Sequence, residues 1–154
     1  FEGWWGHDKS TRFEMIPSYN SMGTAESWQL SNAPVLNMAV HKASLDICEE
    51  AGGMHALRER SLRLTAYLEQ TVRAIASTTG ANLEIITPSN PVERGCQLSI
   101  VAHGQGRDLH DKLSEAGVVV DWREPDVIRM APVPLYNSFE DIARFGHILA
   151  ESLS

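Results

Sequence analysis

The apolar residues change rhythm at Gly80, and that change constrains the fold more than any other feature of the chain. Before it, Leu36, Val40, Ala43 and Ile47 recur at spacings of four, three and four, which marks one face of a helix. Asn32 or Ser31 is placed to cap this helix, with Pro34 in its first turn, where a missing N–H costs little. Ala51-Gly52-Gly53 ends it. A second helix carries Met54, Leu57, Leu64, Leu68, Val72 and Ile75 on one face and stops at Thr79-Gly80. After Gly80 the apolar residues gather into short runs. Leu83–Ile86 and Cys96–Val101 read as strands on either side of a Pro-rich loop, and Leu109, Leu113 and Ala116 give a short helix ending at Gly117. Val118–Trp122 and Val127–Met130 read as two further strands around Glu124-Pro125-Asp126. Ser138 caps a last helix whose expected core face is Phe139, Ile142, Phe145 and Leu149. Two helices followed by β–β–α–β–β–α predict an α/β to α+β domain, a small, mainly antiparallel sheet with helices on one face.

Residues 1–32 lack such periodicity. The segment is rich in Gly, Ser, Thr and Asn and holds Trp4, Trp5 and Trp28, three of the four tryptophans. Long irregular segments inside compact domains are usually functional when ordered. Two readings stand for it: a surface that meets a ligand or another chain, or a loop that packs its indoles onto its own domain. The chain opens on Phe1-Glu2-Gly3-Trp4, which reads as the middle of a longer polypeptide whose missing part helps to complete a site.

Composition narrows the chemistry by exclusion. With 43% apolar and 21% charged residues the chain reads as a soluble globular protein, and no apolar run approaches a membrane span. A formal net charge of −7 speaks against a nucleic-acid or anionic-membrane surface, but leaves room for a small anion held by one arginine. Cys48 and Cys96 read as buried, reduced thiols. The six histidines show no HxxxH or HExxH spacing, so no metal site is expected. No serine sits in a GxSxG elbow, and His103-Gly104-Gln105-Gly106 reads as a turn.

Arg129 interrupts the apolar run Val127-Ile128-Arg129-Met130. It is either the exposed position of an alternating strand or a planar guanidinium placed to grip a carboxylate. Of the three lysines, Lys42 and Lys112 fall on polar sides of helices and Lys9 in a polar stretch. None looks desolvated, as a Schiff-base amine requires.

Gly3-Trp4-Trp5-Gly6-His7, Ser10-Thr11-Arg12-Phe13, Leu30-Ser31-Asn32-Ala33-Pro34, Thr87-Pro88-Ser89, Glu93-Arg94-Gly95-Cys96-Gln97-Leu98 and the run from Ile128 to Ser138 stand in the order found in kynureninases. The chain resembles the C-terminal part of that family from near Gly3 to its last helix. The resemblance implies a fold-type-I, pyridoxal 5'-phosphate-dependent hydrolase of tryptophan catabolism and NAD biosynthesis, cytoplasmic and homodimeric. Its implied reaction cleaves the Cβ–Cγ bond of kynurenine or 3-hydroxykynurenine. It implies an active-site and dimer-interface loop over 1–32 and a C-terminal small domain over 33–154. The large cofactor domain, with its lysine, would lie upstream, and the fragment alone would be inactive. Residue by residue, Arg129 would pair with the substrate's α-carboxylate. Trp5 would stand beside the substrate ring with His7 near it, Trp4 would reach the cofactor phosphate across the dimer, and Asn32 would approach both cofactor and substrate. A desulfurase-like relative and an autonomous domain binding a small acid through Arg129 are the competing expectations.

Overall fold

The computed structural model describes residues 2–154; Phe1, where the irregular segment begins, lies outside the described residues. The elements are α1 (Val35–Glu50), α2 (Gly53–Thr79), β1 (Leu83–Ile85), β2 (Leu98–Ala102), α3 (Asp108–Glu115), β3 (Asp121–Arg123), β4 (Val127–Met130) and α4 (Phe139–Ser152), with short 3-10 turns at Trp4–Gly6, Ala25–Trp28 and Pro91–Glu93. The chain forms two compact units, and the division falls inside α1, after Ile47. No helix among the described residues is long and apolar enough to cross a membrane.

The second unit has the expected α+β architecture. Its four strands lie in the order β1-β2-β4-β3, every neighbouring pair antiparallel. Strand alternation sends Leu98, Ile100, Ile128, Met130 and Trp122 to one face. Leu64, Leu68, Val72 and Ile75 of α2, Leu109 and Leu113 of α3, and Ile142, Phe145 and Leu149 of α4 close over that face as one core. The opposite face carries Ser99, Arg129 and Asp121 in one cross-strand row, with Glu84, Val101, Val127 and Arg123 in the next. In β4 alternation separates buried Ile128 and Met130 from half-buried Val127 and Arg129, whereas β2 is buried at every position.

Helices α2 and α4 approach closely at Gly146, where a Cβ would stand 2.7 Å from the Thr71 methyl. Glycine is required there by proximity and not by backbone conformation. Gly80, by contrast, ends α2 in the left-handed region at φ 72°, as expected of a helix exit. At the other end of the unit, α4 opens on a capping box. Ser138 Oγ accepts from the Asp141 N–H at 3.1 Å, and the Asp141 carboxylate accepts from the Ser138 N–H at 2.8 Å.

This box makes a testable link to pH. The Ser138 backbone N–H, with the Asn137 amide adding, holds the Asp141 carboxyl below its ordinary value. Since the folded value is the lower one, ionised Asp141 stabilises the fold at neutral pH, and that contribution is lost as pH falls below about 4. Ser138→Ala should cost about 0.5–2 kcal/mol at neutral pH. Urea midpoints of Asp141→Asn and the parent chain should converge in acid; parallel curves at every pH would exclude the cap as their source.

Four expectations shift. The first helix begins at Val35, so Ser31 and Asn32 stand upstream of its cap; proline disfavours the helical region for the residue before it, which keeps Ala33 out of the helix. The third strand begins at Asp121 and not Val118, because the N–H of Val118 bonds back to the Leu113 carbonyl around left-handed Gly117. Phe139 is 42% exposed and leans on Tyr67 at the rim of the core. Both cysteines are free but only half-buried. The turn at His103–Gly106 forms, with Gly104 and Gly106 at positive φ.

Candidate functional site

Arg129 lies at the centre of the sheet's open face because strand alternation leaves it no other side: Ile128 and Met130 beside it are in the core. Its Nε donates to Asp121 Oδ2 at 2.7 Å, and Nη2 donates to the same oxygen. The two residues are register partners across β3 and β4, with Ser99 opposite Arg129 on β2. Arg123 reaches Asp121 at 3.2 Å from the same strand. Hydrogen bonding from Arg129 holds the Asp121 carboxyl below its ordinary value against the cost of burial, and the charge of Arg123 adds to this. The Arg129 side chain retains 31% of its exposure. A guanidinium has five N–H donors. Asp121 takes the Nε side, so the end-on fork of Nη1 and Nη2 has donors left for a second carboxylate.

Trp4, Trp5 and His7 belong to the first unit, where the loop is built and not loose. Trp4 and Trp5 sit in the 3-10 turn, and His7 bridges to Ser21. Gly6 is buried where a side chain would land on the Ser27 carbonyl and the Tyr19 hydroxyl, and Tyr19 ties to that same carbonyl at 2.7 Å. Trp4 is 44% exposed and meets the edge of Phe13. His7 packs edge-on against Tyr19, and among the described residues its buried Nε2 has no partner. Glu2, Trp4, His7, Arg12 and Tyr19 are among the residues lining a hollow of about 270 Å³ in this unit. Asn32 is exposed just before α1. Trp4, Trp5 and His7 are therefore brought together in one turn, while Arg129 is held in the other unit.

Arg12 is the residue that sequence reasoning passed over. It is 8% exposed, its Nη2 donates to the carbonyls of Trp5 and His7 at 3.0 and 3.1 Å, and its guanidinium lies 4.7 Å from the Trp5 ring centre. It organises the turn from beneath by hydrogen bonds and a cation–π contact. The signal available was a charged residue inside an aromatic- and glycine-rich segment, which has no period to show which way a side chain points.

Residues 57–149, more than half of the chain, match the family model described as the kynureninase C-terminal domain. The chain belongs to this family. Kynureninase C-terminal sequence extends over nearly all of it: the kynureninase of Flavobacterium psychrophilum is 48% identical over 99% of the chain, and that of Koribacter versatilis 51% over 94%. The kynureninase of Xanthomonas oryzae pv. oryzae is 55% identical over 93%. The chain spans only about a third of the length of these relatives (36%, 33% and 34%). Arg129 and its partner Asp121 lie inside the region matched by the kynureninase C-terminal model, and Trp4, Trp5, His7 and Asn32 lie before it.

A covalent link to the cofactor of such an enzyme needs a desolvated lysine amine. Lys42 is exposed and ion-paired to Asp46, Lys112 donates to the Ser152 carbonyl, and Lys9 is exposed. None of the three is enclosed by apolar side chains, so none fits a covalent link to pyridoxal phosphate.

Proposed function

We propose that the chain is the C-terminal segment of a kynureninase that hydrolyses the Cβ–Cγ bond of L-kynurenine or 3-hydroxykynurenine, giving anthranilate or its 3-hydroxy form and L-alanine. The observation that carries this reading is Arg129: a guanidinium inside the family-matched sheet, fixed at one edge by Asp121 and with donors left at the other. That arrangement suits an amino-acid carboxylate. Bidentate pairing would fix the substrate's Cα in one orientation, so Arg129 would serve orientation as well as affinity. Trp5 would form the wall beside the substrate ring, held by Arg12, with His7 next to it.

Pyridoxal phosphate, when bound, would supply the electron sink for the bond cleavage. Its lysine and most of its phosphate cradle would belong to an upstream domain of the parent protein. Trp4 and Asn32 would meet its phosphate side from the neighbouring subunit of a homodimer, with residues 1–32 as the active-site and interface loop and 33–154 as the small domain. Helix α1 supports this assignment, because Val35, Leu36, Met38, Val40, Leu45 and Ile47 are all exposed. A helix apolar around so much of its circumference is expected to be covered in the assembled protein. A cytoplasmic enzyme follows from the same reading.

The test compares the full-length polypeptide with this chain, each supplied with pyridoxal phosphate and L-kynurenine, by anthranilate fluorescence. Turnover is expected from the full-length protein and none from the segment. Equal turnover by the segment would overturn the division of the site, and a full-length protein that leaves kynurenine and 3-hydroxykynurenine intact would overturn the assignment.

A further inference from the structure

We propose that Asp121 is the positioning residue for Arg129, holding the guanidinium by its Nε edge so that the end-on fork is presented to the substrate's α-carboxylate. The proposal rests on the reading of Arg129 given above and assigns a specificity role to a second residue, one that would not touch the substrate itself. Three observations support it. Both donors that Arg129 gives to Asp121 come from one side of the guanidinium and converge on one oxygen, Oδ2. A side-on grip of this kind fixes the plane of the group as well as its location, which an arginine on a free side chain would otherwise sample widely. Second, the pair is built into the sheet, since Asp121 and Arg129 are direct register partners in the β3–β4 hairpin. Third, the charges leave a net attraction for an anion. Arg123 lies 3.2 Å from Asp121, so two guanidinium groups surround one carboxylate, and the positive charge of Arg129 is not cancelled.

The last point separates a positioning residue from a plug. A lone aspartate on a lone arginine would compete with an incoming carboxylate, and its removal would tighten substrate binding. With Arg123 also facing Asp121, removal should instead free Arg129 to swing and weaken binding.

The experiment uses full-length holoenzyme carrying Asp121→Ala, Asp121→Asn or Asp121→Glu, with Arg129→Ala alongside. KM and kcat are measured for L-kynurenine, together with inhibition by the amine that lacks only its α-carboxylate. Asp121→Ala should raise KM about ten- to a hundredfold, leave inhibition by the carboxylate-free amine unchanged, and add little to Arg129→Ala in the double variant. Asp121→Asn keeps one acceptor oxygen and should fall between, while Asp121→Glu should recover part of the loss. A KM that falls on removing Asp121 would show a plug. An unchanged KM, or equal weakening of both ligands, would also overturn the proposal, the latter by revealing general damage to the sheet. Arg129→Ala keeps the two readings apart: if it discriminates between the ligands and Asp121→Ala does not, only the Asp121 role fails. If neither does, the carboxylate role of Arg129 fails with it.

Discussion

Arg129→Ala in the full-length enzyme is expected to lower kcat/KM for kynurenine about thirty- to several-thousandfold, corresponding to about 2–5 kcal/mol for truncating one partner of a desolvated charge pair. The loss should be nearly as large in Arg129→Lys, because an ammonium is a point charge that cannot occupy Asp121 and a second carboxylate through a planar fork. Fold stability should change much less than activity. Arg129 projects from the open face, its core neighbours Ile128 and Met130 are untouched, and Asp121 keeps Arg123 as a partner. Steady-state kinetics alongside thermal unfolding of the same preparations separates the two effects. A variant that keeps kcat/KM within about threefold of the parent would be incompatible with a bidentate contact to the substrate.

Leu64→Ala should have the opposite signature. Leu64 is fully buried on α2, within the cluster that α2, α3 and α4 form over the sheet. Truncation removes its transfer energy and leaves a cavity that a core of packed leucine and isoleucine closes only in part. The cost is about 2–5 kcal/mol. For a chain of this size each kcal/mol moves the midpoint by about 2–4 °C, so a fall of about 4–20 °C is expected by calorimetry. Leu64→Met, which conserves volume, should lose less than about 1.5 kcal/mol. A midpoint shift in Leu64→Ala no larger than that of Leu64→Met would mean the site can collapse, against the packing described.

What could be read from residues alone follows how local the determinant is. Helix α2 was legible because one face repeats from Leu57 to Ile75, interrupted by Ser61, and Gly80 marks its end, although Met54 is 70% exposed; β4 was legible because Pro125 marks the turn before it. β3 was misplaced because the apolar run Val118-Val119-Val120 continues the strand pattern, while the Gly117 exit claims the Val118 amide for the helix. Phe139 fits the helical period of α4 and still sits at the rim, since periodicity gives a face but not where the opposing surface ends. Arg129 was legible as a charge out of place; its partner was not, because cross-strand pairing depends on register. A cue did exist: Asp121 and Arg129 stand at equal distances on either side of Pro125, so a hairpin centred there pairs them. Arg12 left no such cue, since an irregular loop gives no register to count along.

The alternation in β4 ties the chemistry of the chain to its folding frame. Ile128 and Met130 anchor the core, and Arg129 between them faces outward; the two functions are interleaved at single-residue spacing. A change of one residue in the length of the hairpin turn would move all three together, sending the charge inward and the apolar pair outward. Neither function can then drift without the other. The distance along the chain from Asp121 to Arg129 therefore sets the packing of β4 and the direction of its one charge together.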